Sequence, residues 1–280
     1  MKEKRRYEHY VPKEHIRRFS KSGEIWVTRF DGRTFCKKIN RETSFEIGGI
    51  INFYDFGDPF DPASMENQLA GVERALHPFI DEIIETGKDS SGRFAIKQYL
   101  SLLYNRSIMR RESCEFFSND EKDMKRLHEM CIKMGVSTIG LDDIDDYVCC
   151  LLKSDFGEFI TSDNPVVGVL ANLVAKENGI YDIHTENEHR ELIYLCPISP
   201  DFCVIMYHKN GVYPLKLIAG GCFTIEAVNT LIVHWAVEFI FSKDKPSEKM
   251  KKRFTSGHNP AIKEIRESVM RQRKIGKGKK

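Results

Sequence analysis

Thr161, Ser162, Asp163, Asn164 and Pro165 place four polar side chains in a row between two apolar runs, Phe156, Phe159 and Ile160 before them and Val166, Val167, Val169 and Leu170 after. An apolar, strand-like approach that ends in such a row delivers a hydroxyl, a carboxylate and an amide to a strand end, where catalytic and binding groups often stand. The same residue types are also turn chemistry, each able to satisfy nearby backbone groups. A second set sits on two expected helices. Glu66, Glu73 and His77 share a face with Leu69, Ala70, Ile80 and Ile84, while Arg106 and Arg110, four residues apart, share the face of Ile96, Tyr99 and Leu103. Carboxylates and guanidinium groups directed at a core are expected in pairs, because an unpartnered buried charge is expensive. Glu66 and Glu73 are therefore expected to meet Arg106 and Arg110, either as a structural network or as part of a functional cluster.

The elements that position these groups follow from pattern. Pro12 suits the first turn of a short helix over Lys13 to Phe19. Glu24 to Phe30 and Arg33 to Ile39 alternate around Asp31 and Gly32, a strong hairpin signal. Gly48 through Pro62 reads as an ordered loop. Asp61 and Pro62 open a helix expected to run to Thr86, stop at Gly87 and kink near Pro78. A second helix is expected over Arg93 to Arg111, a third over Asp120 to Met134 and a fourth over Asp142 to Lys153. The acidic run Asp142, Asp143, Asp145 and Asp146 suits a helix N-terminus and lacks the glycine turn of a calcium loop.

From Phe156 the pattern changes to short β-branched runs: Phe156 to Thr161, Val166 to Val174, Leu192 to Leu195, Phe202 to Tyr207 and Val212 to Ile218. Breaks at Pro197, Pro200, Gly211 and Gly220 suit a mostly antiparallel sheet. A long helix over Thr224 to Ser242 should pack on it, and a charged helix from Asn259 should fade into a disordered end. The expected class is α+β, with an N-terminal β-hairpin and helices packed against a mostly antiparallel C-terminal sheet. Residues 1–245 form the expected single domain, and 246–280 a charged, basic tail.

The 280 residues are 41% hydrophobic and 30% charged, which fits a globular chain with a sizeable core. Their net charge of +2 hides an asymmetry: Lys251 to Lys280 carry +9 and the first 250 residues −7. A strongly basic DNA-binding body is thereby excluded, but the tail can hold a polyanion in a salt-dependent way. The eight cysteines include no C-x-x-C pair and lie mostly in apolar surroundings, so reduced thiols and a cytoplasmic location are expected. No signal peptide and no membrane span are expected, since Ala227 to Phe241 is short and interrupted by Asn229, His234 and Glu238. No internal repeat, phosphate-binding glycine loop, G-x-S-x-G or H-E-x-x-H is present.

Several of these residues stand in a recognisable order. His9, Tyr10, Val11 and Pro12 are followed by Glu66 and Glu73, then Arg106, then Thr161 to Val166, then Pro197, Ile198, Ser199 and Pro200, then Asn229. The chain resembles in this the bacterial domain-of-unknown-function family 4238, over about residues 7 to 242. Ile198 stands where that family usually has Leu, a difference of packing more than chemistry. The resemblance implies no activity, but it locates a candidate site: His9, Glu66, Glu73, Arg106, Ser162, Asp163, Asn164 and Asn229.

That set contains a base, carboxylates for a hard metal, a cation for phosphate and amides for orientation. It suits phosphoester or nucleotide chemistry better than acyl transfer. Asp163, Glu66 and Glu73 around Mg²⁺ or Mn²⁺, with Arg106 on a phosphate, is the cleaner arrangement. Ser162 as nucleophile would require His9 as its base and lacks an oxyanion-hole motif. The expected function is thus hydrolysis of a nucleic-acid or nucleotide phosphoester, a nuclease-like activity in a toxin or defence setting suggested by the family. The alternative is a non-enzymatic binding or regulatory module in which Arg106 pairs with Glu73, Asp163 and Asn164 cap a turn, and His9 pins the N-terminal arm.

Overall fold

The computed structural model describes residues 7–39, 47–51, 53, 63–88, 90–91, 93–114, 121–134, 138–139, 142–170, 192–210, 223–257 and 262–267. The expected strand over Val212 to Ile218 and most of the Gly48 to Pro62 loop lie outside these residues. Helices and mostly antiparallel sheets make the fold α+β. None of the described helices is long and apolar enough to cross a membrane.

The chain opens with β1 (Tyr7–His9) and the single-turn helix α1 (Lys13–Arg17), which starts directly after Pro12. The hairpin of β2 (Glu24–Arg29) and β3 (Thr34–Lys38) turns at Gly32, whose φ of 87° lies where glycine is favoured. β4 (Gly49–Ile51) returns antiparallel to β1. α2 (Ala63–Thr86) carries Pro78 in its interior and stops at Gly87, φ 69°. Its Leu69, Leu76, Ile80 and Ile83 are buried against α3 (Phe94–Asn105).

The helix expected over Arg93 to Arg111 is two. Arg106 and Ser107 break it, and Ser107 caps the short α4 (Ile108–Ser113) by accepting the Arg110 amide at 3.2 Å. α5 (Glu121–Met134) follows where expected. The helix expected over Asp142 to Lys153 is instead β6 (Asp142–Asp143), a 3-10 turn over Ile144–Asp146, and β7 (Tyr147–Lys153), with β5 (Thr138–Ile139) pairing β6. The acidic residues cap that 3-10 turn, Asp143 accepting the Asp145 amide at 2.9 Å. Beyond them, Tyr147 and Cys149 are buried while Val148 is exposed, a two-residue alternation that the acidic lead masked.

Two four-stranded antiparallel sheets carry the rest. One has the order β7–β11–β10–β9, with β9 (Val167–Leu170), β10 (Leu192–Pro197) and β11 (Phe202–His208). The other has the order β3–β2–β12–β8, with β8 (Thr161–Ser162) and β12 (Phe239–Ser242). The expected helix over Thr224 to Ser242 ends early, as α6 (Ile225–Trp235), and its last residues are β12. Phe239, Ile240 and Phe241 are aromatic or β-branched and gain ladder partners from β2, the last two from β8 as well, which outweighs their place in a helical apolar pattern.

Asp163 to Val166 is therefore the crossing between the two sheets: β8 belongs to one and β9 to the other. The packed body also runs past residue 245. α7 (Glu248–Thr255) buries Phe254, and the helical segment 262–267, here α8, buries Ile262 and Arg266.

Candidate functional site

The sheet crossing is held by Asp163. Its side chain is fully buried, and its two oxygens accept three consecutive amides of the stretch between α6 and β12: Val237 at 2.8 Å on Oδ1, Glu238 at 2.6 Å and Phe239 at 3.1 Å on Oδ2. The Asp163 amide in turn donates to the Phe239 carbonyl at 3.1 Å. Burial raises its carboxyl to about 7, against the pull of those amides, which favour the ionised form. The far side of the same stretch is gripped by Arg266 of α8. Its Nε and Nη2 donate to the carbonyls of Val237 and Ala236 at 2.5 and 2.7 Å, and its guanidinium lies 3.6 Å from the Phe30 ring centroid. Residues 236–239 are thus held from their amides by Asp163 and from their carbonyls by Arg266.

The neighbours of Asp163 are equally engaged. Ser162 Oγ donates to the Asn164 carbonyl at 2.9 Å and accepts the Asn164 amide at 3.1 Å, closing a tight turn. Asn164 Nδ2 donates to the Trp235 carbonyl at 3.3 Å. Asn229 of α6 uses both ends of its amide on the segment leading into β8, accepting from the Ile160 amide at 3.0 Å and donating to the Glu158 carbonyl at 2.9 Å. The Pro197 to Pro200 stretch holds that segment from the other side: the Pro200 carbonyl accepts the Phe159 amide at 2.8 Å, and Ser199 Oγ accepts the amides of Asp201 and Phe202. Replacing Asn229 by Ala strips the Ile160 amide and Glu158 carbonyl of their partners. The expected cost is about 2 kcal/mol in urea unfolding.

Arg106 is buried and pairs with Glu73, as expected from the helix faces, and also donates to the His9 backbone carbonyl. His9 thus joins this group through its main chain. Arg110, on α4 instead of the Arg106 helix, does not follow it: its guanidinium stands 5.8 Å from the Tyr104 ring centroid. The side chain of Glu66 lies outside the described residues. Asp163 and Glu73 do not fit an Mg²⁺ or Mn²⁺ site, the first having both oxygens filled by amides and the second being bound to Arg106. Among the described residues no group of three His, Cys, Asp or Glu side chains could hold a metal ion.

The structure adds a buried hydrogen-bonded chain that periodicity did not disclose. Arg18 Nη1 donates to the Tyr99 hydroxyl at 2.9 Å; Tyr99 lies 3.1 Å from His15 Nδ1, and His15 Nε2 lies 3.0 Å from Thr161 Oγ1 on β8. A guanidinium can only donate, so the hydroxyl proton of Tyr99 is free to point at Nδ1, and Nε2 then carries the imidazole proton toward Thr161. Arg18 also binds Asp81 at 2.8 Å and His77 Nδ1 at 3.1 Å. Burial, then the Arg18 charge, hold His15 well below the ordinary imidazole range, and the same causes bring His77 down to about 4. The only sequence signal for this chain was the shared face of Tyr99 and His77 with apolar neighbours.

One open groove lies beside the site, with a volume of about 450 Å³. Phe156, Asn229, Thr230, Glu226, Lys249 and Arg253 line it. The Phe156 side chain is 91% exposed at its edge. Lys249 binds Glu226 at 2.6 Å, and Arg253 donates to Thr230 at 2.5 Å. Both cations belong to α7, with which the basic C-terminal stretch begins.

No curated protein and no solved structure matches the chain. The His9–Pro12 opening, the Glu73–Arg106 pair, the sheet crossing at Asp163 and the Asn229 staple all fall within residues 7–246, which match the model of a family described as a protein of unknown function, DUF4238; the chain belongs to that family.

Proposed function

We propose that the protein is a non-enzymatic binding module for single-stranded nucleic acid, with the groove between α6 and α7 as its contact surface. The observation that carries this reading is the pairing of a bare aromatic ring, Phe156, with Lys249 and Arg253 across one groove. An exposed ring offers a stacking platform for a base, and flanking cations track the backbone. The sequence beyond α7 is rich in Lys and Arg, which adds positive charge for a polyanion. Asp163 and Ser162 support the fold in this reading and do not face a substrate, whereas Asn229 lines the groove while its side chain holds the Glu158–Ile160 backbone. Glu226 competes with phosphate for Lys249 and limits affinity until it is displaced.

The test is fluorescence anisotropy with labelled single-stranded RNA and DNA oligomers at 50 and 200 mM salt. Phe156→Ala should weaken binding about tenfold, the order expected for one lost base stack. Glu226→Gln should strengthen it. Ending the chain after residue 267 removes six cations (Arg271, Arg273, Lys274, Lys277, Lys279, Lys280), and should make the plot of log K against log salt shallower by about 4. Unchanged affinity in Phe156→Ala would remove the groove from the reading.

A second reading, phosphoester hydrolysis, is favoured by Arg18 and His77. With Nδ1 accepting from Arg18, the partly exposed His77 carries its proton on Nε2, a donor that would suit a phosphate oxygen. Incubation with RNA, DNA and nucleoside triphosphates, with Mg²⁺ or Mn²⁺ and with chelator, separates the two. Cleavage that disappears in His77→Gln establishes this reading in place of the first.

A further inference from the structure

The turn between β7 and β8 shows a bare ring to solvent although its backbone is tied at both ends. At the start, the Ser154 amide donates to the Asp201 carbonyl at 2.8 Å and its Oγ to the Gly157 carbonyl at 2.6 Å. Gly157, at φ 98°, closes the turn in a conformation that favours glycine. At the end, Asn229 holds the Glu158 carbonyl and Pro200 the Phe159 amide, as described above. A turn fixed in this way offers Phe156 to a ligand at little further cost in ordering.

Two residues on, Glu158 lines the same groove. Its Oε1 accepts from Lys243, which directly follows β12, at 2.6 Å, and the two side chains are only 27% and 30% exposed. The other carboxylate of the groove, Glu226, is 68% exposed in its pair with Lys249. Glu158 is thus the better held of the two, and its bond to Lys243 leaves further lone pairs on both oxygens. An ammonium donor and a two-oxygen acceptor stand side by side on a fixed turn that also carries an open ring.

With the groove as the nucleic-acid contact surface argued above, we propose that it reads guanine, the base stacking on Phe156 and turning its base-pairing edge to Lys243 and Glu158. That edge presents O6, N1–H and the N2 amino group in order, one acceptor followed by two donors. The ammonium of Lys243 meets O6, and the carboxylate of Glu158 accepts from N1 and N2 together. Adenine and cytosine offer the carboxylate one donor with a lone pair next to it, and uracil one N–H between two carbonyl oxygens. Guanine alone fills both oxygens, while Lys249 and Arg253 remain for phosphate.

Fluorescence anisotropy of the full-length protein is measured with oligouridines carrying one central guanine, inosine or adenine. Guanosine and adenosine monophosphates are titrated separately by calorimetry. The guanine oligomer should bind about tenfold tighter than the adenine one, the order expected for one bidentate contact to a base edge. Inosine, which keeps N1–H and lacks the N2 amino group, should fall between them, a comparison that needs no change to the protein. Glu158→Gln replaces one acceptor by a donor and should bring the guanine oligomer down to the adenine one, with thermal melting to show that the variant is folded. Equal binding of all oligomers, or inosine equal to guanine, would overturn the guanine assignment and leave the groove as a general contact surface. Preference for guanosine monophosphate with no oligomer bound would uphold the assignment and overturn the single-stranded reading. Failure of every probe to bind would overturn both.

Discussion

Asp163→Ala is expected to destabilise the protein by about 4 kcal/mol, because three amides at 237–239 are left in a closed interior with no acceptor, each worth roughly 1–3 kcal/mol when orphaned. For a chain of this size that corresponds to a Tm lower by roughly 10 °C. Asp163→Asn keeps one acceptor oxygen but turns an NH₂ group toward an amide donor, and should cost about half as much. Loss of activity in either variant would therefore say little about chemistry unless folding were measured alongside it. Urea unfolding followed by circular dichroism gives the direct reading. A cost below about 1 kcal/mol for Asp163→Ala would show that the amides find other partners, and the latch would lose its standing.

The second large effect is an acid limit on stability. His15 and His128 are fully buried, and burial holds both imidazoles neutral, His15 well below its ordinary range and His128 at about 3. In the unfolded chain each takes up a proton below about pH 6.5, so the unfolded state binds more protons and stability falls with pH, by about 1.4 kcal/mol per unit for each group. Asp163 acts in the opposite sense. Its carboxyl is raised to about 7 from an ordinary 3.8, so between those values the folded state binds the extra proton and gains stability as pH falls. From pH 6.5 to 5.5 these two histidines and His77, itself held at about 4, each lose about 1 kcal/mol while the carboxyl gains about 1.2, leaving a net loss of about 2 kcal/mol. Below pH 4 the carboxyl no longer offsets them, while His77 and then His128 take up protons in the folded state as well and cease to add to the loss. His128→Gln should flatten the profile between 6.5 and 5.5, and Asp163→Asn should roughly double its slope. Urea midpoints measured in half-unit steps decide this; a wild-type profile that rises toward acid would refute the assignment of neutral histidines.

Which features were legible in the sequence depended on how far apart their partners lie. Asp31 and Gly32 turn a hairpin whose strands are neighbours, and α2 and α5 declare themselves within one stretch, so local pattern sufficed. The Glu73–Arg106 pair was legible because both residues lie on helical faces with clear apolar stripes. Asp142 to Lys153 misled because four acids at its start outweighed a short alternation behind them. The run after Trp235 continued the apolar character of α6, and nothing local announces that Asp163, some 74 to 76 positions earlier, captures its amides. His15 had still less to show: its partners Tyr99 and Thr161 are 84 and 146 residues away. The candidate residues stand out in the sequence, but their division into an inward-facing latch and a helix-to-arm tie, and the existence of a separate imidazole chain of other residues, depended on tertiary contacts.

Arg266 draws a boundary that family resemblance does not. The matched residues stop at 246, yet the carbonyls of Ala236 and Val237 and the rings of Phe30 and Phe254 have their cation twenty residues further on. The packed contacts thus extend over a longer span than shared ancestry marks out. Any shortened version cut at the homology border would carry open carbonyls and a bared aromatic face where the intact chain has a plug, and its behaviour would report on that wound instead of on the domain.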